Sequence, residues 1–210
     1  MKKLTLLTIV LMLVCSTMMA QSDHEPGYQT HDRFFLSMSL GPAWMSINDD
    51  ITNGPYNNMK MTGVGGIIDF KVGYALNESF ILHGDVISVS SGKVDIVADG
   101  TTLGTIEGDN SVGMIMFGGG VTNYFMPNNF FVSGTAGIGS FNITTGESTS
   151  STERGLGLLL KAGKEWWISS RWGMGVSATF NYTHVNNEAD GMQEALSGIA
   201  FGVSLNATFN

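Results

Sequence analysis

The stretch VGGIIDFKVGYALN, Val64 to Asn77, carries apolar residues at every second position and two charges between them. The set from Val64 to Tyr74 is apolar throughout, whereas Asp69 and Lys71 belong to the other set. Side chains that repeat with a period of two point to opposite faces of a β-strand. The stretch therefore predicts a strand with one apolar face and one face that carries both charges. The surroundings of these two faces decide the fold.

The composition favours many short strands in one domain. The chain has 210 residues, of which 28 are glycine and only 13% are charged. These values are about twice the usual share of glycine and roughly half the usual ~25% share of charged residues. Such a mixture does not favour long helices.

The N-terminus has the order of a secretory signal peptide. Lys2 and Lys3 precede an apolar run at 4–14, and a short segment then leads to Ala20. We expect residues 1–20 to form a signal peptide that is cleaved after Ala20, which leaves a polar segment at 21–32. The apolar run is shorter than the roughly 20 residues of a membrane-spanning helix, and no later apolar run is longer.

The only cysteine, Cys15, lies inside this leader. Met12 and Val14 stand where lipid-attachment sites carry leucine and a small residue, so we expect an ordinary leader. The mature chain then has no disulfide. Loss of the leader removes two lysines and no acids, which moves the formal charge from −8 to −10 and argues against nucleic acid as a partner.

Eight segments show strand-like periodicity, and most pair an apolar face with a face of Gly, Ser, Thr and Asn. The segment at 111–125 is apolar on both faces, so its orientation stays open. Short connections follow the second, fourth and sixth strands, and long polar ones follow the first, third, fifth and seventh. This alternation predicts an antiparallel meander with every tight turn at one end. The predicted strands are 34–45, 64–77, 80–88, 111–125, 130–141, 155–167, 172–183 and 199–209.

Two eight-stranded architectures compete: a soluble lipocalin-like barrel and a transmembrane barrel. A soluble barrel would carry many Lys and Glu on its water-facing side, whereas the polar faces here hold few charges. Strands of about 11 residues fit a tilted crossing of the bilayer. The apolar faces place aromatic side chains near the short turns, where membrane-interface anchors lie: these are Tyr74, Tyr124, Trp166 and Trp172. The pattern favours the transmembrane barrel.

The chain resembles the small OmpA/OmpX-type outer-membrane barrels. The resemblance rests on the leader, the eight amphipathic strands, the asymmetry of turns and loops, and the ending GVSLNATFN, in which Phe209 is penultimate. It implies an all-β, eight-stranded antiparallel up-and-down transmembrane barrel over 33–210, in the outer membrane of a Gram-negative bacterium. It also implies a monomer that meets outer-membrane lipid, lipopolysaccharide and the barrel-assembly machinery, without a cofactor.

Six titratable side chains are predicted to point into the lumen: Asp69, Lys71, His83, Asp85, Lys161 and Glu165. A five-residue turn after the second strand would pair Lys71 with His83 and Asp69 with Asp85. The fixed charges sum to −1, and a protonated His83 would make the lumen neutral. The set is either a structural ion-pair network or a path for protons or ions. Eight strands leave little room for a channel, which favours the structural network.

His184 and Glu188 are the best enzymatic candidates, since barrels similar to lipid A deacylases carry His, Ser and an acid near the outer rim. The position expected for the serine holds Asn186, which is no nucleophile. The acidic loops could bind divalent cations, although none has a calcium-site spacing. We therefore expect a non-enzymatic envelope protein with a structural or surface-interaction role. The alternatives are a lipid-modifying enzyme and a small pore or ligand-binding barrel.

Overall fold

The computed structural model describes residue 31 and residues 33–52, 56, 58–189 and 192–210. The predicted signal peptide at 1–20 and all of the polar segment at 21–32 except residue 31 lie outside the described residues. Within the described part of the chain, no helix is long and apolar enough to cross a membrane.

The described residues contain eleven strands that form one antiparallel sheet, and eight of these strands close into a barrel. The barrel order is β1–β2–β3–β6–β7–β9–β10–β11, and the pairing of β11 with β1 completes the ring. The predicted eight-stranded antiparallel barrel is confirmed. The strands are β1 Arg33–Thr52, β2 Asn58–Ala75, β3 Phe80–Ser91, β4 Val94–Ala98, β5 Thr101–Ile106, β6 Asn110–Phe125, β7 Phe130–Thr145, β8 Ser148–Ser151, β9 Gly155–Trp167, β10 Trp172–Ala189 and β11 Met192–Phe209.

The two ends of the barrel differ as the sequence predicts. Short turns at 76–79, 126–129 and 168–171 lie together at one end, here called the turn end. The opposite end is here called the loop end. It contains more β-structure than expected, because β4 and β5 form a hairpin and β8 folds back on β7. β4 continues the ladder of β3 by pairing with Met59–Gly63 of β2. The expectation of plain loops in these segments was therefore wrong.

The outer surface of the barrel is an apolar band. Large aliphatic side chains stand outward from β1, β2 and β11, with Leu40 61%, Val64 68% and Leu205 65% exposed. Tyr74 and Trp166 are exposed near the turn end, at 57% and 52%, as expected of interface aromatics. A surface of this kind fits a transmembrane barrel and not a soluble one.

The pairing of β2 with β3 differs from the predicted register. Lys71 lies opposite Asp85, and Gly73 lies opposite His83. The Asn77 side chain accepts hydrogen bonds from the backbone N–H groups of Ser79 and Phe80, at 3.0 and 2.9 Å. This local turn shifts the register by two residues, which changes partners but keeps every side chain on its predicted face.

Glycine allows neighbouring strands to approach closely inside this narrow barrel. A Cβ atom at Gly65 would lie 1.8 Å from the carbonyl oxygen of Ser90, and one at Gly137 would lie 2.0 Å from that of Phe117. Both distances are far below van der Waals contact, so no other residue fits these positions without moving the neighbouring strand.

The lumen is filled by three layers of side chains. An apolar layer lies toward the loop end, a polar layer with the charged groups lies in the middle, and an aromatic layer that includes Phe35, Tyr124 and Phe131 lies near the turn end. The expectation of a polar interior is thus wrong for the loop half, because strands β1, β3 and β6 turn aliphatic and methionine side chains inward there. This apolar layer includes Met45, Ile47, Ile67, Ile87, Val89, Val112, Met114, Met116, Phe141 and Leu159.

Candidate functional site

The six predicted lumen residues all lie inside the barrel, and each is at most 4% exposed. β2 contributes Asp69 and Lys71, β3 contributes His83 and Asp85, and β9 contributes Lys161 and Glu165. Members of each pair are separated by two or four residues, so strand geometry puts them on the same inward face. The structure divides them into a middle ionic cluster and a separate site near the turn end.

The ionic cluster joins two lysines and two aspartates. Lys71 Nζ donates to Asp85 Oδ2 across the β2–β3 ladder and lies 3.5 Å from Asp69 Oδ1. Lys161 Nζ donates to Asp69 Oδ2 at 2.6 Å and also to the hydroxyl of Ser39. Asp69 therefore lies between two ammonium groups and links β2 to β9 across the lumen.

Polar side chains from β6 and β7 complete the middle layer. The Thr135 hydroxyl donates to Asp85 Oδ2 at 2.7 Å. His83 Nε2 lies 3.0 Å from the Thr122 hydroxyl and 3.3 Å from that of Ser133. The predicted Lys71–His83 pair is therefore wrong, and hydroxyl groups, not a charge, meet this imidazole.

Glu165 belongs to the aromatic layer at the turn end. Its carboxylate accepts hydrogen bonds from Thr208 at 2.8 Å and from the Tyr124 hydroxyl at 3.2 Å. Tyr124 is 2% exposed, so its prediction as an interface anchor was wrong. The turn-end register of β6 with β7 makes Tyr124 an inward residue, opposite Phe131.

His31 closes the turn end of the lumen. Its ring stacks on Tyr124 with centroids 3.6 Å apart, and its nitrogens lie 2.6 Å from Asn210 Oδ1 and 3.0 Å from Asn129 Oδ1. The side chain is 1% exposed. Sequence reasoning missed His31, because it stands in a polar segment without periodicity.

The charged side chains of the lumen are enclosed and largely paired. The two lysines and three acids leave a formal excess of one negative charge, and charge pairs and hydroxyl groups surround the buried carboxylates. No group of three or more His, Cys, Asp or Glu with the geometry of a metal site occurs among the described residues. The apolar and aromatic layers separate the charges from both ends of the barrel.

Acidic side chains gather at the loop end, beyond the apolar band. Asp49 is 5% exposed, and burial together with the charges of Glu194 and Asp50 raises its pKa to about 6. A surface cleft of about 520 Å³ lies beside it, with Asp50, Glu188 and Glu194 in its lining. Asn187 Nδ2 donates to Glu194 Oε2 at 2.9 Å and holds this carboxylate in place.

The structure places the two enzymatic candidates, His184 and Glu188, apart and gives His184 a serine neighbour. His184 Nδ1 lies 2.9 Å from the hydroxyl of Ser197, its direct neighbour on β11. A serine thus contacts His184, although it is not at position 186, and sequence reasoning missed it because the two residues are brought together only by strand pairing. Glu188 is exposed and lines the loop-end cleft with Asp50.

The closed ring, the apolar outer band and the single end with tight turns are those of a small eight-stranded transmembrane β-barrel. Among solved structures, the chain is similar to Neisserial surface protein A, with 12% identity and a TM-score of 0.53 over 84% of this chain and 96% of that one. It is also similar to the outer membrane protein OprG from Pseudomonas aeruginosa, with 11% identity and a TM-score of 0.53 over 88% of this chain and 100% of that one. No protein-family model matches the sequence, and no curated protein matches it. At these identities the similarity establishes the fold alone.

Proposed function

We propose that the protein is a monomeric outer-membrane barrel of a Gram-negative bacterium, exported by a cleavable signal peptide at residues 1–20. It contributes to envelope structure or surface interaction and forms no open channel. Its partners are outer-membrane lipid and lipopolysaccharide, with the barrel-assembly machinery during insertion. The fold shared with outer-membrane barrels and the apolar outer band support this location.

The observation that carries the proposal is the filled lumen. Met45, Ile47 and Met114 are at most 2% exposed in the loop half, and His31 is 1% exposed at the turn end. An ion that crossed the barrel would have to displace packed apolar side chains and leave water without compensation. Eight-stranded barrels are just wide enough for side chains to fill, so function is assigned to the outer surface and the loops.

The test is ion conductance in a planar lipid bilayer. The purified barrel is reconstituted beside a 16-stranded porin as a positive control, and a Met114→Ala variant reports whether the apolar layer forms the seal. We expect no stable current steps from the parent protein. Reproducible single-channel steps from the parent would refute the closed-lumen function and favour the small-pore alternative.

A second candidate function rests on the 2.9 Å contact between His184 Nδ1 and Ser197 Oγ. A serine that donates to a histidine is the first requirement of an acyl hydrolase. Ser197 Oγ would attack the carbonyl carbon of an acyl ester while His184 takes its proton, and His184 would return that proton to the alcohol that leaves as the ester C–O bond breaks. Water would then hydrolyse the acyl-serine ester, which frees Ser197 and releases the acyl group as a carboxylic acid. Both residues are half-buried and lie toward the loop end of their strands.

This candidate is tested by mass spectrometry of lipid A from cells that carry the parent protein, Ser197→Ala or no copy. Loss of an acyl chain that depends on Ser197 would support the lipid-modifying function. Identical spectra from all three strains would exclude it. Ser140→Ala, at a half-buried serine on β7, is a matched control.

A further inference from the structure

An apolar groove crosses the outer surface of the barrel from β7 to β1. Its two parts have volumes of about 550 Å³ and 340 Å³, and both are lined by Ala178 and Val203. Pockets that hold small molecules have volumes of roughly 300–1,000 Å³. The bottom of the groove follows the strand pairing, in which Ala162 lies between Val132 and Ala178, and Ala178 lies beside Val203.

Bulky side chains form both walls of the groove. Side chains alternate between the two faces of a strand, so the next outward residues lie two positions before and two positions after those at the bottom of the groove. On neighbouring strands these residues again lie beside one another. The wall on the turn side consists of Phe130, Lys164, Val176, Leu205 and Leu40. The wall on the loop side consists of Leu160, Phe180, Phe201 and Trp44.

One end of the groove carries a positive charge. Lys164 is the only charged side chain among the described residues that line either part. Its Nζ lies 4.5 Å from the ring centroid of Phe130 and 5.6 Å from that of Trp166. These cation–π contacts hold the ammonium group at the aromatic girdle of the turn end, which is the level of lipid headgroups.

The groove runs from this charged end into the middle of the membrane. Val132 stands two residues after the start of β7 at the turn end, whereas Pro42, in the second part, stands nine residues after the start of β1. Four strand spacings of about 4.8 Å give a length of roughly 19 Å. With a strand tilt of about 40° the groove descends roughly 12 Å, which is less than the ~15 Å depth of one leaflet in a ~30 Å hydrocarbon core.

We propose that this groove binds one acyl chain of an anionic glycerophospholipid from the turn-side leaflet, with the lipid phosphate held by Lys164. The apolar length stays within one leaflet, and the charge stands at the end where the headgroup lies. A second copy of the barrel fits the groove less well. In a symmetric dimer the same lining would face itself, and its described residues include no carboxylate that could pair with Lys164. The lipid site depends on the proposed location of the barrel in a membrane. It does not depend on whether ions pass through the lumen.

The test is native mass spectrometry of the purified protein in a neutral detergent, titrated with phosphatidylglycerol or phosphatidylcholine of identical acyl chains. We expect one phosphatidylglycerol molecule to bind more tightly than any phosphatidylcholine. Lys164→Gln should weaken phosphatidylglycerol binding about fivefold, from roughly 1 kcal/mol per lysine beside anionic lipid. It should weaken phosphatidylcholine binding less, because the choline cation offsets the charge of the phosphate. Ala178→Phe fills the groove and should weaken the binding of both lipids.

Matched controls separate the groove from general effects of charge and bulk. Arg171→Gln removes an exposed cation in a turn at the same end, and Ala136→Phe adds the same bulk at an outward position outside the groove. Both should bind lipid as the parent does, and every variant is first shown to be folded by its heat-dependent shift on a gel. Equal affinity for the two lipids, or equal losses in the controls, would overturn the proposal. A dimer that Ala178→Phe dissociates would assign the groove to a second copy instead.

Discussion

The sharpest test of the lumen assignment is the ion pair between Lys161 on β9 and Asp69 on β2. Their charged atoms are 2.6 Å apart, and their side chains are 2% and 3% exposed. At an effective dielectric constant of about 20, unit charges at this separation attract by roughly 6 kcal/mol before desolvation is subtracted. Removal of one partner of a buried pair costs about 3–5 kcal/mol, because the other charge is left without compensation.

Lys161→Met and Asp69→Leu are expected to lower the free energy of unfolding by about 3–5 kcal/mol each. The double variant should lose about 0.5–3 kcal/mol less unfolding free energy than the two single variants lose together. The reason is that it removes one charge of each sign and leaves the Lys71–Asp85 pair intact. The matched control is Lys93→Met, since Lys93 and Glu107 are 3.9 Å apart and 73% and 68% exposed. An exposed pair of this kind should contribute no more than about 1 kcal/mol.

The measurement is urea unfolding in detergent micelles, followed by the migration of folded and unfolded barrel on a gel. Single variants as stable as the parent would show that these groups face water and that the lumen assignment is wrong. Losses in the double variant equal to the sum of the single losses would show that both charges are buried but not coupled to each other. Only partial recovery agrees with the observed pair.

Three further predictions concern orientation, pH and close packing. We expect the loop end to face the cell exterior and the turn end to face the periplasm. A tag inserted at Gly146 should therefore be reached by antibody on intact cells, whereas a tag at Ser170 in the turn at 168–171 should not, and reversed labelling would show that the turn end faces the exterior. Because the pKa of Asp49 is raised from 3.8 to about 6, the folded barrel holds a proton that the unfolded chain releases, so stability is lost as the pH rises through this range. Asp49→Asn should therefore stabilise the barrel above pH 6 and not below pH 3.8, as measured by urea unfolding, and a gain that does not depend on pH would contradict this cause. In Gly137→Val the new Cβ atom would lie 2.0 Å from the carbonyl oxygen of Phe117, so this variant should give no heat-shifted folded band on a gel. Gly134→Val is the control and should fold, because its Cβ atom would lie 3.8 Å from the nearest atom.

Much of the barrel could be predicted because a period of two defines faces independently of register. Asp69 and Lys71 stay on the inward face whether Lys71 lies opposite His83 or Asp85, so the face was predicted correctly while the partner was not. The partner depends on the turn, and the Asn77 side chain fixes that turn through two hydrogen bonds that periodicity does not contain.

The remaining differences come from contacts between distant parts of the chain. Tyr124 could not be oriented from a segment that is apolar on both faces, and its inward position follows from pairing with Phe131 on β7. His184 and Ser197 are 13 residues apart and meet only across the β10–β11 ladder. His31 contacts Asn210 across almost the whole chain length, which no local pattern reveals.

The apolar layer in the loop half affects how the unfolded chain behaves in water before it inserts into the membrane. In the strand from Val112 to Phe117, side chains of both faces are apolar, since one set fills the lumen and the other meets lipid. In the unfolded chain this segment exposes only apolar side chains and glycine to water. Such segments aggregate readily. Passage through the periplasm should therefore depend strongly on chaperones that cover this strand until the barrel closes. Depletion of such chaperones should reduce the yield of this barrel more than that of a variant with polar residues at Met114 and Met116.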